Sequence, residues 1–143
     1  MKIDDYIEIL HSCLTKDLLK KQYQSGYESN HFTTGHCYIA SEAVFHTFGG
    51  KDEWSAYSGR DHNNGTHWWL KNKLTKEIID PTKEQYTSLG IEPPYDKGRP
   101  CAFLTREPSA RARELMTRVE NKLKAENTIQ EAPVETVRRP RMR

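Results

Sequence analysis

Residues 33–48 carry the sequence TTGHCYIASEAVFHTF, in which a reactive side chain stands at the start of a strongly periodic segment. The apolar positions of this segment recur at steps of three and four residues: Ala40, Ala43, Val44 and Phe48. Gly49-Gly50 closes the segment, so the spacing predicts a buried amphipathic helix with Cys37 in its first turn. Unpaired N–H groups and the dipole at a helix start favour thiolate over thiol, which makes Cys37 a candidate nucleophile. The alternative role for a single cysteine is to pack in the core as a small hydrophobic residue.

Length and composition predict one domain followed by a tail. A chain of 143 residues is long enough for one domain with its own core and too short for two ordinary ones. Hydrophobic residues make up 35% of the chain and charged residues 29%, which predicts a soluble protein with a modest core. We assign residues 1–126 to the domain and residues 127–143 to a disordered basic tail, because no apolar period continues beyond Asn127.

The absence of a recognisable targeting signal, together with the cysteine usage, predicts a cytoplasmic protein with no membrane partner. No run approaches the roughly 20 apolar residues of a membrane span. The first residues also lack the charged and then apolar pattern of a signal peptide. The three cysteines, Cys13, Cys37 and Cys101, are odd in number and widely spaced, so we expect reduced thiols rather than disulfides.

The charge distribution argues against a nucleic-acid-binding surface on the domain. Residues 1–107 contain 13 lysines and arginines against 15 aspartates and glutamates, whereas residues 108–143 contain nine against five. Phosphate binding requires a basic face, which a slightly acidic body does not offer. The four arginines within residues 138–143 either contact an acidic partner or form a solvated, solubilising end.

The remaining patterns predict an α+β domain in which N-terminal helices pack on a small antiparallel sheet. Apolar periods and caps predict helices at 4–13, from Thr15 to about 26, at 82–86 (a single turn) and at 108–125. Alternating or β-branched segments predict three strands in meander order and then a closing strand, at 53–58, 66–71, 76–80 and 101–104. Polar or breaker-rich segments predict loops at 27–32 and 88–100.

Three side chains on these elements have the residue types of a cysteine-based catalytic triad. Cys37 opens the helix, His67 lies in the second strand and Asp80 ends the third. Neighbouring antiparallel strands place residues side by side, so one tight turn allows His67 and Asp80 to meet. The imidazole would take the thiol proton, the carboxylate would orient the ring, and the backbone N–H of Cys37 would donate to an oxyanion. Taken alone, His67 is equally an ordinary strand residue, and Asp80 a turn former before Pro81.

Four segments together resemble the YunG-like family of bacteria and phages. They are Gly35-His36-Cys37, Phe48-Gly49-Gly50, Thr66-His67-Trp68-Trp69 and IDPTKEQY at residues 79–86. That family is similar to transglutaminase-like and papain-like cysteine enzymes, so the resemblance implies that fold and the triad Cys37, His67 and Asp80. Many family members carry glutamine before the cysteine, and the resemblance therefore implies an oxyanion-supporting role for His36, which stands there in this chain. Trp68 or Trp69 is a second candidate for such support, with aromatic core packing as the other use of at least one of them.

Two other functions remain open beside a cysteine enzyme. Imidazole and thiolate suit zinc, and five such groups surround the proposed cleft in the sequence: His31, His36, Cys37, His62 and His67. However, the chain has no Cys-x-x-Cys or His-x-x-x-His pair and lacks the zinc deaminase pattern, so we assign no metal site. The other possibility is a catalytically silent interaction module that uses residues 88–100 and the basic tail as contacts.

The expected activity is that of a cysteine-dependent hydrolase, which attacks an amide, isopeptide or ester carbonyl through an acyl-enzyme. Water would complete hydrolysis and an amine would complete a transglutaminase-like acyl transfer, and both routes share the first half-reaction. The expected partner is a protein or peptide substrate with an amide or isopeptide bond. No cofactor is expected.

Overall fold

The computed structural model describes the backbone of residues 1–19, 21, 24 and 35–138, and side chains as far as residue 126. Within these residues the α-helices are α1 (Ile3–Cys13), α2 (Cys37–Thr47), α3 (Glu84–Thr87) and α4 (Ala110–Arg138). The strands are β1 (Trp54–Arg60), β2 (Thr66–Asn72), β3 (Ile78–Ile79) and β4 (Arg99–Pro100). Short 3₁₀ turns lie at Lys16–Leu18, Gly50–Asp52 and Tyr95–Lys97.

The strands form one antiparallel sheet in the order β3-β2-β1-β4. The central hairpin of β1 and β2 pairs along its whole length. In contrast, β3 pairs with β2 only at Leu70 and Lys71, and β4 pairs with β1 only at Tyr57 and Ser58. The two short outer strands therefore leave much of each edge of the hairpin without a neighbouring strand.

Helices α1, α2 and α4 pack together on one face of the sheet and enclose the core. The buried apolar side chains include Tyr6, Leu10, Ala40, Ala43, Val44, Trp54, Ala56, Leu70, Leu115 and Val119. Alternate residues of a strand point to opposite faces, so Tyr57, His67 and Trp69 lie on the other face of the sheet. Tyr95 packs on that second face, with its ring edge-on to Trp69 and 5.2 Å between centroids.

The predictions for the elements around the candidate site are confirmed. The helix predicted at 4–13 is α1, the periodic segment contains α2 with Cys37 as its first residue, and the meander is β1-β2-β3. The chain is accordingly α+β, with helices on a small antiparallel sheet.

Two predicted strands differ from the structure. The closing strand predicted at 101–104 is wrong, because β4 lies earlier and the chain turns away from β1 once the N–H of Cys101 has bonded to Ala56. Phe103 packs instead against Trp68, with the rings stacked at 5.5 Å. The third strand is shorter than predicted, since Lys76 adopts a φ of 67° and belongs to the preceding turn.

Two helical segments differ in length from the prediction, one shorter and one longer. The helix predicted from Thr15 is a 3₁₀ turn as far as Leu18, and most of its remainder and the loop at 27–32 lie outside the described residues. The backbone of α4 continues to Arg138 through part of the segment expected to be a disordered tail, because helical hydrogen bonds propagate without an apolar face. The domain boundary at residue 126 stays a prediction. Across the described ranges, no helix is both long enough and apolar enough to cross a membrane.

Candidate active site

Cys37 lies at the edge of β2 that β3 leaves uncovered. The residue is 8% exposed, and its Sγ donates to the carbonyl oxygen of Thr66 at 3.8 Å. Asn72 donates its backbone N–H to Glu77 on the β3 side of the sheet. Backbone groups alternate in direction along a strand, so those of Thr66 point to the same side as those of Asn72. The start of α2 therefore sits beside the free end of this edge.

His67 and Asp80 form a buried hydrogen-bonded pair. Nε2 of His67 lies 2.7 Å from Oδ2 of Asp80, and the two side chains are 0% and 1% exposed. The pairing of Ile79 with Leu70 aligns the end of β3 with the middle of β2 and so brings the two side chains together. The contact expected from their thirteen-residue spacing is present, while their catalytic roles remain predictions.

The second ring nitrogen of His67, Nδ1, is buried and has no hydrogen-bond partner of regular geometry among the described residues. Because Asp80 occupies Nε2, Nδ1 is the ring nitrogen left to take up a proton, and the Cys37 thiol lies near enough to the ring to raise its pKa. Burial alone would lower the pKa of His67, but hydrogen bonds and charge from Asp80 and Cys37 outweigh burial and raise the pKa to about 9. The ring therefore favours its cationic form beside the sulfur.

Two further groups hold the Asp80 carboxylate in position. The Tyr95 hydroxyl donates to Oδ2 at 2.8 Å, and the backbone N–H of Thr82 donates to Oδ1 at 3.2 Å. Burial and the charge of Asp80 raise the pKa of Tyr95 far above its usual value, so the hydroxyl remains a donor. With the bond from His67, the carboxylate accepts three hydrogen bonds that set its orientation.

Tyr86 packs against the His67 ring and is held in turn by the loop between β1 and β2. The two rings meet edge-on with 4.7 Å between centroids, and the Tyr86 hydroxyl donates to Oδ2 of Asp61 at 2.8 Å. Oδ1 of Asp61 accepts the backbone N–H groups of Asn63 and Gly65. Burial raises the pKa of Asp61, but these three donors outweigh burial and lower the pKa. A charged loop residue thereby fixes one wall of the imidazole site.

His36 has a structural contact next to the candidate nucleophile. The residue is 0% exposed, and its Nε2 donates to the carbonyl oxygen of Thr15 at 2.9 Å, which joins the start of α2 to the turn after α1. A nitrogen engaged in this bond does not donate to an oxyanion at the same time. His36 is also the N-cap residue of α2, and its side chain makes no capping hydrogen bond to the first turn of the helix. The oxyanion-supporting role of His36 stays a prediction, and so does that of the backbone N–H of Cys37, which lies in the first turn.

Trp68 packs in an aromatic cluster on the core face of β2. Its ring is edge-on to Tyr38 at 4.8 Å and stacked on Phe103 at 5.5 Å. The backbone N–H of Leu104 donates to the Tyr38 hydroxyl at 2.7 Å. Trp68 thus touches the residue that follows Cys37, and its observed use is the aromatic packing that the sequence left open.

The potential zinc ligands are not arranged as a metal site in the part of the chain that the structure describes. No group of three or more histidine, cysteine, aspartate or glutamate side chains there is placed to hold a metal ion. His31 falls outside the described residues. His62 contacts Tyr86, with 6.1 Å between ring centroids.

Sequence reasoning missed three residues of this site: Tyr86, Tyr95 and Asp61. Tyr86 closes one of the segments that resemble the YunG-like family, which was a signal for it. Tyr95 lies in a breaker-rich loop and Asp61 in a turn, where these residue types are common. Neither of the two has a local pattern that distinguishes it.

Comparison with known proteins assigns the chain at the level of its family. The model of the family described as YunG protein matches residues 2–124, which include Cys37, His67, Asp80 and the residues that contact them. No curated protein and no solved structure matches the chain.

Proposed function

Given that the chain belongs to the YunG protein family, we propose that it is a cysteine-dependent hydrolase of amide or isopeptide bonds. The observation that carries this proposal is the buried His67–Asp80 pair, 2.7 Å apart, with the Cys37 thiol as the other neighbour of the imidazole. A buried histidine needs hydrogen-bond partners in any role, but a carboxylate on one nitrogen and a thiol near the other are the partners that a base for a cysteine nucleophile requires.

The proposed fold is papain-like or transglutaminase-like. Its support is the order of the parts along the chain: a thiol at the start of a buried helix, a base on a strand, and a carboxylate at the end of the next strand. The same groups converge on unrelated folds. The arrangement is therefore stronger support for the chemistry than for the fold.

In the proposed first half-reaction, Nδ1 of His67 holds the proton of the Cys37 thiol as an imidazolium, and the thiolate sulfur attacks the carbonyl carbon of the substrate. As the S–C bond forms, the carbonyl electrons move to oxygen, and the backbone N–H of Cys37 donates to that oxyanion. The imidazolium then gives its proton to the departing amine while the C–N bond breaks, which leaves a thioester. Asp80 stays ionised and keeps the ring oriented.

In the second half-reaction, His67 takes a proton from water, and the water oxygen attacks the thioester carbonyl. The C–S bond breaks, the carboxylic acid leaves, and the proton returns to the thiolate. Acyl transfer to a substrate amine is the alternative second step. Cys37 is 8% exposed and His67 0%, so the same buried site has to admit either water or the amine, and both routes share the first half-reaction.

The proposed substrate is a protein or peptide, and the proposed compartment is the cytoplasm. All groups in the proposed steps belong to this chain, so the proposal needs no cofactor. The cytoplasmic assignment is supported by the three cysteines, which are all free thiols.

The first test is alkylation with iodoacetamide at a series of pH values, with mass spectrometry of the peptide that carries each cysteine. Cys37 should be alkylated faster than the exposed Cys101 near neutral pH, because the imidazole of His67 takes up its proton. His67→Ala should slow the alkylation of Cys37 and leave that of Cys101, the internal control, unchanged. Equal rates for both thiols would favour a silent interaction module. Metal analysis tests the other alternative: stoichiometric zinc in the purified protein, and its loss in Cys37→Ser, would favour a metal site instead.

The second test separates hydrolysis from acyl transfer. p-Nitrophenyl acetate should leave one acetyl group on Cys37, visible in the intact mass, and none on Cys37→Ser. The rate at which this acetyl group disappears is then measured in water and with added glycine methyl ester. Faster loss with formation of the acetylated amine would assign acyl transfer, and an unchanged rate would assign hydrolysis.

A further inference from the structure

The outer edge of β1 carries backbone groups that no strand pairs. After β4 has paired at Tyr57 and Ser58, the next residue, Cys101, gives one more bond, from its N–H to the carbonyl oxygen of Ala56 at 2.8 Å. Alternate residues of a strand direct their backbone groups to the same side, so Trp54 faces this edge together with Ala56. Among the described residues, the N–H of Ala56 and both backbone groups of Trp54 have no hydrogen-bond partner on that side.

A cavity of about 550 Å³ runs along this open edge, and we call it the β1-edge groove. One wall is formed by residues 54–56 and the opposite wall by residues 100–106, where Phe103 is anchored on the aromatic cluster of the core. The residues of the proposed triad are described and do not line this groove, so it is separate from the candidate active site. Its volume lies in the range of ligand pockets, about 300–1,000 Å³.

The β1-edge groove is mainly apolar inside and cationic at its rim. Lys51, Lys73 and Arg106 line it, and none of the aspartates and glutamates that the structure describes does so. None of these three cations forms an ion pair with a described residue. Unpaired cations around a groove favour the approach of an anionic partner and repel a cationic one.

We propose that the β1-edge groove binds an extended acidic peptide, which adds to the sheet as a strand beside Trp54 and Ala56. The peptide backbone would bond to the open N–H and C=O groups of these two residues, as in other cases of strand addition. Every second side chain of the peptide would enter the apolar part of the groove, and its carboxylates would meet Lys51 and Lys73. This site is independent of the hydrolase proposal, since it uses none of the same side chains.

The test is NMR titration of the ¹⁵N-labelled full chain with a synthetic peptide of alternating glutamate and valine, about six residues long and so about 20 Å as a strand. The chain carries Cys37→Ser, so that neither success nor failure of the hydrolase proposal affects the result. The backbone amides of Trp54 and Ala56 should shift, and hydrogen exchange of the Ala56 amide should slow. A peptide with lysine in place of glutamate should bind at least about tenfold more weakly, and methylation of alternate peptide amides should abolish binding.

Charge reversal at the rim tests whether the lysines of the groove attract the acidic peptide. The double variant Lys51→Glu, Lys73→Glu should bind the acidic peptide at least about tenfold more weakly. The control Lys122→Glu, Lys124→Glu changes the net charge equally at exposed positions of α4 and should bind as before.

Two results would overturn the proposal. One is the absence of shifts at Trp54 and Ala56 with peptide at about 2 mM, and the other is equal affinity for the glutamate and lysine peptides. Lysines beside an open strand edge also discourage edge-to-edge association. If no shifts appear and the rim double variant self-associates, these lysines protect the edge and the groove is not a peptide site.

Discussion

Replacement of Asp80 by asparagine removes a charge from the candidate site and leaves the side-chain volume almost unchanged. The carboxylate accepts hydrogen bonds from His67, Tyr95 and the backbone N–H of Thr82. Asparagine has one acceptor oxygen and one amino group with two donors, so at least one of these three donors would face another donor. If the amino group faces His67, the ring must carry its proton on Nδ1. It is then unable to accept the proton of Cys37.

The size of the effect follows from the electrostatics of the imidazole. The pKa of His67 is raised from 6.5 to about 9 although burial acts to lower it. The carboxylate and the thiol therefore outweigh burial by about 3 kcal/mol, at about 1.4 kcal/mol per pKa unit. Without the Asp80 charge we expect the pKa of His67 to fall by at least about two units. Each pKa unit is a factor of ten, so the equilibrium constant for proton transfer from the Cys37 thiol to the ring would fall at least about a hundredfold.

The assay is the pH dependence of Cys37 alkylation in Asp80→Asn, together with the NMR titration of the His67 imidazole. Alkylation at neutral pH should slow about tenfold to a hundredfold, while the exposed Cys101 keeps its rate. The control Asp96→Asn removes an exposed acid from the neighbouring loop and should change neither measurement. A folded Asp80→Asn protein with the wild-type Cys37 rate and an unshifted His67 titration would refute the reasoning, because the carboxylate would then not activate the thiol.

Two further predictions concern stability. The pKa of His67 is 6.5 when unperturbed and about 9 in the fold, so its contribution is complete below about pH 6.5 and is lost as the pH rises through about 9. Urea unfolding at both ends of this window should show that the free energy of unfolding falls by up to about 3 kcal/mol as the pH rises. Asp80→Asn should lack this fall, and the same pH dependence of the unfolding free energy in both proteins would contradict the prediction. Gly98→Ala would push a Cβ into the Trp69 indole, whereas at Gly65 the nearest atom to an added Cβ is 3.4 Å away. The first variant should lose about 1–3 kcal/mol relative to Gly65→Ala, and equal urea midpoints would show that the loop carrying Gly98 adjusts freely.

Local patterns were sufficient for the elements that carry the candidate triad. The apolar period after Cys37 and the closing Gly49-Gly50 involve only near neighbours in the chain, and α2 begins and ends accordingly. Strand alternation and turn formers likewise predicted that His67 and Asp80 lie on adjacent antiparallel strands. Their contact follows from the regular geometry of a meander, which a sequence pattern describes well.

The segment around Phe103 shows where local pattern failed. Residues 101–104 have the apolar character of a strand, yet β4 is Arg99–Pro100. Phe103 instead contacts Trp68 and Tyr38, with ring centroids 5.5 and 5.3 Å away. A short apolar segment has several ways to become buried, and the shape of the surrounding core selects among them.

The support of the imidazole was decided by long-range contacts. Tyr95 reaches Asp80 across 15 residues and Tyr86, on α3, reaches Asp61 across 25, and no local pattern predicts either contact. The open edge of β1 likewise depends on where β4 stops. Periods and turns along the chain predict helices, strands and their order, because they arise from neighbours. Which loop closes over which strand depends on the packing of the whole domain, and only the three-dimensional arrangement contains that information.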